Sequence, residues 1–401
     1  MLTTYEAFKT GGRSGPAFVS GQADKSLVLA YLKGTKEPRM PLGGEPLSAE
    51  QIELFQRWIA AGGADDTPEA AREKLVAGKA PVYNVAPLIT AVAYSPDGSL
   101  LAISGYREVL LHNADGSGLV ARLVGISDRI LSIVFSADGK LLAAVGGTPA
   151  RFGEVQIWDV ASRELKRSVT VSNDTIFGAS FSPDGSKLAF GCADNTIRLI
   201  AIETGKEVLK MTHHDNWVFG TVFSIDGKRL VSVGRDKAAK LIEVSTGSFL
   251  ENLNALRGEL DCIARHPKKD WVLVGGDDRI PYLYTMTRPR ALRVGEESTL
   301  IRQFDRQEGS ILAVAFRPDG QLVVAGGAAP EVNVYDTESG KKVTTLTGHE
   351  GGIYAVQFNP KGDQIVTGGF DGTLRIYEAQ TGKLVKAFVP VPLEKTNVSM
   401  K

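Results

Sequence analysis

Phe181-Ser182-Pro183-Asp184-Gly185 recurs along the chain. Tyr94-Ser95-Pro96-Asp97-Gly98, Phe135-Ser136-Ala137-Asp138-Gly139, Phe223-Ser224-Ile225-Asp226-Gly227, Phe316-Arg317-Pro318-Asp319-Gly320 and Phe358-Asn359-Pro360-Lys361-Gly362 are further copies, and Arg265-His266-Pro267-Lys268-Lys269 is a worn one. Their lead residues are 41, 46, 42, 42, 51 and 42 positions apart. A fixed period of this size marks a repeat array. The motif reads as a tight hairpin turn: Pro or a small residue presets one backbone angle, Asp bonds back to the chain, and Gly accepts a positive φ.

Each turn is preceded by an alternating apolar run, such as Ile311, Val314 and Phe316, and followed by one that ends in glycine, such as Leu141 to Gly146. A third run follows (Val155 to Asp159, Thr196 to Ile200, Thr373 to Tyr377), and a fourth after a Thr-Gly or Ser-Gly turn (Lys341 to Leu346, Lys383 to Phe388). Four short antiparallel strands per period, seven times over, predict a mainly β protein: a seven-bladed β-propeller of four-stranded blades over residues 87–390, with a small α-helical segment before it and a tail at 391–401.

These residues resemble the WD40 family. Trp158-Asp159 is the one intact Trp-Asp pair, Tyr335-Asp336 and Tyr377-Glu378 stand in its place elsewhere, and Leu199-Ile200 and Leu241-Ile242 have lost it. Gly348-His349 is the one intact Gly-His pair. The resemblance implies a hydrogen-bonded network within a blade, and the last repeat comes nearest to it with His349, Thr367, Asp371 and Tyr377, a Tyr where the family has Trp.

Residues 1–66 lie outside the period. Asp24 or Ser26 can cap a helix through Leu27, Leu29, Ala30 and Leu32 that stops at Gly34. Ser48 and Gln51 form a capping-box pair ahead of Ile52, Phe55, Trp58 and Ile59, and Gly62-Gly63 ends that helix. Gly11-Gly12-Arg13-Ser14-Gly15-Pro16-Ala17, Pro38-Arg39-Met40-Pro41 and the stretch from Leu47 to Gly62 resemble the C-terminal half of the planctomycete-type cytochrome c domain. The resemblance makes Met40 the match of that family's distal haem ligand. Covalent haem needs Cys-x-x-Cys-His, and no Cys or His precedes His112. The expectation is therefore no cofactor in this chain, with haem c only if a Cys-x-x-Cys-His segment is encoded upstream. Residues 67–86 read as a linker, with a short helix from Thr67-Pro68 to Gly78 and a strand-like Val82-Tyr83-Asn84-Val85.

Lys plus Arg and Asp plus Glu number 46 each, so the surface offers no general attraction to nucleic acid or anionic membrane. No apolar run reaches membrane-spanning length. The first residues lack an export signal, which predicts a cytoplasmic chain as written; the cytochrome resemblance implies a periplasmic one if the start is truncated. Cys192 and Cys262 fall in repeats that are not neighbours and read as small buried hydrophobes. Catalytic signatures are missing: no Gly-x-Ser-x-Gly, no phosphate loop, no His-Glu-x-x-His. His213-His214-Asp215 reads as a loop bonded to strand ends, with metal binding as the alternative.

Two insertions break the period, Gly146 to Gly153 and a longer one near 285–300 with Arg288, Arg290, Arg293, Glu296 and Glu297. Arg265 replaces an aromatic, and either pairs with Asp261, Asp277 or Asp278 or reaches solvent. One position recurs usefully. Immediately after the first apolar residue of each inner strand come Thr90, Leu131, Phe177, Phe219, Asp261, Leu312 and Tyr354, and Trp217 precedes Phe219 by two. In the resembled family this position faces the rim of the central channel. Leu131, Phe177, Trp217, Phe219, Leu312 and Tyr354 are the candidate contacts for a protein partner, and packing between blades is the competing role. The expected function is a non-enzymatic interaction scaffold; the alternative is part of an exported c-type electron-transfer protein.

Overall fold

The structure, a computed structural model, describes residues 5–11, 14–65, 79–255, 257–287 and 298–394. Contacts divide the chain into two compact units, Met1–Leu75 and Val76–Lys401. The helical run expected at Thr67 to Gly78 and the charged insertion at Arg288, Arg290, Arg293, Glu296 and Glu297 lie outside the described residues.

The first unit holds helices α1 (Tyr5–Thr10), α2 (Leu27–Leu32) and α3 (Ala49–Ala60). The capping box forms: Ser48 Oγ accepts the Gln51 N–H at 3.2 Å and Gln51 Oε1 accepts the Ser48 N–H at 2.9 Å. Ser26 stands at the α2 N-cap, but its hydroxyl donates to the Gln22 carbonyl (2.9 Å) and accepts from the Val19 N–H (3.0 Å), so it ties the preceding loop instead. The helix α1 adds to the sequence expectation. It is held by aromatic packing, with Tyr5, Phe8 and Trp58 all around the buried Phe18 and the Phe18–Trp58 centroids 5.0 Å apart.

The named strands of the second unit all pair antiparallel. Its first sheet has seven strands in sequence order: β1 (Val92–Tyr94), β2 (Leu100–Ser104), β3 (Tyr106–Asn113), β4 (Leu119–Phe135), β5 (Leu141–Thr148), β6 (Phe152–Asp159) and β7 (Leu165–Ser172). Five four-stranded sheets follow, drawn from residues 176–211, 218–252, 260–303, 311–346 and 353–388. Six sheets therefore stand where seven separate ones were expected. The reason is β4, 17 residues long, which pairs with β3 through Leu119 to Val124 and again at Arg129, opposite Tyr106, and with β5 through Arg129 to Phe135. Between those halves Ser127 bonds to Glu154 and leaves no turn to break the strand.

The insertion expected as a loop at Gly146 to Gly153 is mostly strand. The β5–β6 ladder runs to Thr148 opposite Phe152, with Ala150 at φ 59° in the turn and Phe152 buried. The Val82–Val85 segment makes one parallel bridge, Tyr83 with Leu393 of the tail. The Tyr83 hydroxyl donates to the fully buried Glu108 carboxylate at 2.7 Å, and Arg122 grips the same carboxylate from the other side.

The repeated turn closes as its residues dictate. Ser182 Oγ donates to Asp184 Oδ1 (2.5 Å), Asp184 Oδ1 accepts the Ser186 N–H (3.0 Å), and Gly185 has φ 69°. These donors hold the Asp184 carboxyl down to about 2. In the worn copy His266 takes the Ser place and its Nδ1 accepts the N–H groups of both Lys268 and Lys269 at 3.0 Å.

Each inner strand packs on the inner strands before and after it, and the last, Ile353–Phe358, packs on β1. One apolar cluster joins Tyr94, Leu101, Ile103 and Leu110 to Val366, Leu374 and Ile376, and Gln357 Oε1 accepts the Tyr94 N–H at 2.8 Å. Second strands end in small residues because the next sheet crosses close over them. A Cβ at Gly191 would stand 2.4 Å from the Val218 carbonyl oxygen, whereas one at Gly185 meets nothing within 4 Å. Gly191→Ala is expected to lower the urea midpoint by the equivalent of about 2 kcal/mol through overpacking. Gly185→Ala, strained only by its positive φ, is expected to cost about 1 kcal/mol.

Candidate protein-docking site

The seven inner-strand positions converge. Thr90, Leu131, Phe177, Phe219, Asp261, Leu312 and Tyr354 all line one cavity of about 1140 Å³, and each is partly exposed. The apolar residue before each of them (Ile89, Ile130, Ile176, Val218, Leu260, Ile311, Ile353) is buried. The ladder shows why two successive side chains take different surroundings. Pairing skips Leu131, Phe219, Asp261, Leu312 and Tyr354, and skips Phe177 together with Gly178, so the strand bulges at each. A bulge re-aims the unpaired side chain, here off the sheet and into the cavity.

The widest apolar part of this mouth is aromatic. Phe177 stacks on Trp217 (centroids 5.7 Å, 29°) and meets Phe219 edge-on at 5.1 Å. Trp217, directly before its strand, stays 39% exposed. The Arg235 guanidinium lies 5.2 Å from the Trp217 ring centroid, and its Nε reaches Glu259 Oε1 at 3.2 Å.

Two buried histidine networks stiffen the loops. His349 Nε2 lies 2.7 Å from Thr367 Oγ1, and Arg375 Nη1 donates to both His349 Nδ1 (2.9 Å) and Asp371 Oδ2 (2.6 Å). Burial, then Arg375, hold the His349 imidazole below its ordinary pKa. Tyr377 donates to the Thr347 carbonyl at 2.7 Å beside the same Thr367. The second network was not anticipated: His214 Nδ1 to Asp236 Oδ1 at 2.8 Å and Nε2 to Ser232 Oγ at 2.7 Å. Its signal was present, since Ser232 and Asp236 follow His214 by 18 and 22 positions, as Thr367 and Asp371 follow His349. The neighbouring His213 bonds the Gly247 carbonyl at 2.7 Å. Around the intact Trp-Asp pair, Trp158 Nε1 donates to Gln156, Gln156 to the buried Glu154, and Ser127 and Ser168 donate to Glu154 as well.

Cys192 and Cys262 are both free, and burial pushes the Cys192 thiol up to about 12. Arg265 lines the cavity at the end of its strand remote from Asp261. Its Nη1 donates to the His266 carbonyl at 3.1 Å, and among the described residues it forms no ion pair with Asp261, Asp277 or Asp278. In the first unit Met40 lines a separate apolar cavity of about 460 Å³ with Leu27, Tyr31, Leu32 and Phe55. A thioether in an apolar cavity suits a haem iron's weaker axial position. With no Cys or His before residue 112, this unit supplies neither thioether bonds nor a proximal imidazole, so it does not fit covalent haem by itself.

Asp261 is the one acid at the seven positions. Burial first, then Glu259 and Asp277, raise its carboxyl to about 6 against the opposing charge of Arg235. Between the ordinary aspartate value and 6 the folded state holds the extra proton, so stability falls as pH rises through that window. Asp261→Asn is expected to stabilise the protein at pH 7.5 by about 1–2 kcal/mol, after discounting for partial exposure, and to have little effect at pH 4. Denaturant melts at the two pH values check this.

The WD domain, G-beta repeat family matches residues 205–243, 298–336 and 340–378, and the anaphase-promoting complex subunit 4 WD40 domain matches 150–219. The chain is similar to superkiller complex protein 8 of Dictyostelium discoideum (35% identity over 97 residues, 24% of this chain and 31% of the relative). It is also similar to the human U3 small nucleolar RNA-associated protein 18 homolog (26% over 183 residues, 43% and 31%). A third similarity is to transcription initiation factor TFIID subunit 5 of Caenorhabditis elegans (24% over 240 residues, 55% and 34%). The chain thus spans about a third of the length of each of these relatives. The family matches, together with the sheet architecture, support WD40 repeats in this chain.

Proposed function

We propose that residues 87–390 form a seven-bladed propeller serving as a non-enzymatic scaffold, and that its channel mouth receives a protein partner. In this reading the seven-stranded sheet is two blades that share β4, whose first half pairs with β3 and whose second half pairs with β5, with Arg129 bridging both. The observation that carries the docking role is the set of bulged residues, Leu131, Phe177, Phe219, Leu312 and Tyr354, brought to one opening, with Trp217 stacked on Phe177. Partly exposed aromatic clusters are costly to keep in water and are favoured at interfaces. Two of the relatives are named as a complex protein and as a subunit of a larger factor, which supports a protein partner. Both matched families describe repeat domains, not catalytic ones. Among the described residues no helix is long and apolar enough to cross a membrane. Equal numbers of acidic and basic side chains give nucleic acid no general purchase.

A second reading rests on Met40 and its cavity: the first unit completes a haem site with a segment that carries Cys-x-x-Cys-His. The purified chain should then show no Soret band alone and gain one on coexpression with such a haem-bearing segment; no band in either case removes this reading. For the docking reading, the wild type and a Trp217→Ala, Phe219→Ala double variant are compared as bait. Loss of bound partners, with the melting temperature of the second unit retained, is the expected result. An identical partner set would remove the mouth as the docking surface.

A further inference from the structure

We infer that the mouth takes the cationic head of a lysine or arginine side chain from the docking protein, with Asp261 as its counter-charge and Phe219 and Phe177 packing its methylene stem. This rests on the docking reading above and names the chemistry it selects.

Four observations converge on it. First, Asp261 sits on a bulge that turns it into the cavity, beside Phe219 in the repeat before. Second, its carboxylate accepts no hydrogen bond from any described residue. The turn aspartates differ: Asp97, Asp138, Asp184 and Asp226 each accept a Ser hydroxyl and a backbone N–H. Third, the charges next to it are Glu259 and Asp277, so the local field is negative. The nearby cation, Arg235, is already engaged by Glu259 and the Trp217 ring. Of the other cations lining the cavity, Arg129 belongs to a repeat three removed, Arg265 ends its strand at the end remote from Asp261, and Arg317 just beyond the next inner strand is paired with Asp319. Fourth, the equivalent residue of the preceding repeat is Phe219, with Phe177 edge-on to it at 5.1 Å, and aromatic faces attract a cation and its alkyl stem alike.

A half-buried carboxylate with no donor is unfavourable for the isolated fold. A partner's ammonium or guanidinium would supply the missing donors. An acidic side chain would meet the Asp261 carboxylate, and an apolar one would leave Asp261 unpaired, so the mouth discriminates by charge.

The test uses acetylated, amidated Gly-Ala-X-Ala-Gly peptides with X as Arg, Lys or norleucine, read by saturation-transfer NMR against the full chain at pH 7.5. The Arg and Lys side-chain methylenes should receive about fivefold more saturation than norleucine, and Asp261→Asn should erase that difference while the aromatic contact persists. Phe219→Leu, which keeps the volume and removes the ring, should weaken all three peptides and keep the charge preference. Equal signals from norleucine and Arg in the wild type would overturn the cation assignment and leave the apolar docking surface standing. Charge preference surviving in a folded Asp261→Asn protein would overturn it as well, as would silence from all three peptides; the bait comparison above then decides the docking reading separately.

Discussion

No sheet of this protein can bury its own faces. Each inner strand lies against the inner strands on both sides, and the apolar clusters are shared between consecutive sheets, the last with the first included. Removing one sheet would expose two apolar surfaces, which is why repeats of this kind are stable only as a set. The constraint reaches down to single atoms. The carbonyl of Val218 passes where a side chain on Gly191 would be, and Ile311 occupies the space beside Gly275. The glycine one place before the end of a second strand is thus a clearance for the neighbouring sheet, and its recurrence follows from packing.

The same packing creates the opening. Where the second strand is crossed this closely, the inner strand does not keep a regular ladder to its end. It bulges by one residue at Leu131, Phe219, Asp261, Leu312 and Tyr354, and by two at Phe177. Regular alternation would give that residue the opposite face of the same sheet. The bulge instead gives the cavity one side chain per repeat, held by a buried Ile, Val or Leu immediately before it. The identity of that side chain is free to vary, from Thr90 to Phe177 to Asp261, because the scaffold depends only on its neighbour.

Much of this was legible in the residues. The turn at Ser182-Pro183-Asp184-Gly185 and its copies carry their own chemistry, so strand positions follow from local rules. The capping box at Ser48 is local in the same way. The number of sheets was less legible, because it depends on whether the chain turns between Val124 and Arg129, and that is settled by Ser127 bonding to Glu154, 27 residues away. Glu154, Gln156 and Trp158 alternate along one strand face, and their linkage needed only that periodicity to be followed. The His214 network was hidden by looking for Gly before His, when the spacing to Ser232 and Asp236 was the better guide. Tyr83 reaching Glu108 has no local signal, because it joins the approach to the repeats with their third strand.

The clearest separation of structural from functional residues comes from one residue type in two settings. Asp184 is well exposed, accepts a hydroxyl and a backbone N–H, and its carboxyl is drawn down to about 2. Asp261 is more buried, accepts nothing, stands near two further acids, and is driven up to about 6. The first shift favours the folded state above the acid range, and the second opposes it at neutral pH. A residue that works against its own fold, placed at a bulge that turns it into the cavity, is unexplained by structure alone. Its counterparts in the two preceding repeats are rings, and the nearby arginine is already committed. A desolvated anion beside aromatic faces is an unmatched half of a pair, and the matching half is a cation brought by another molecule.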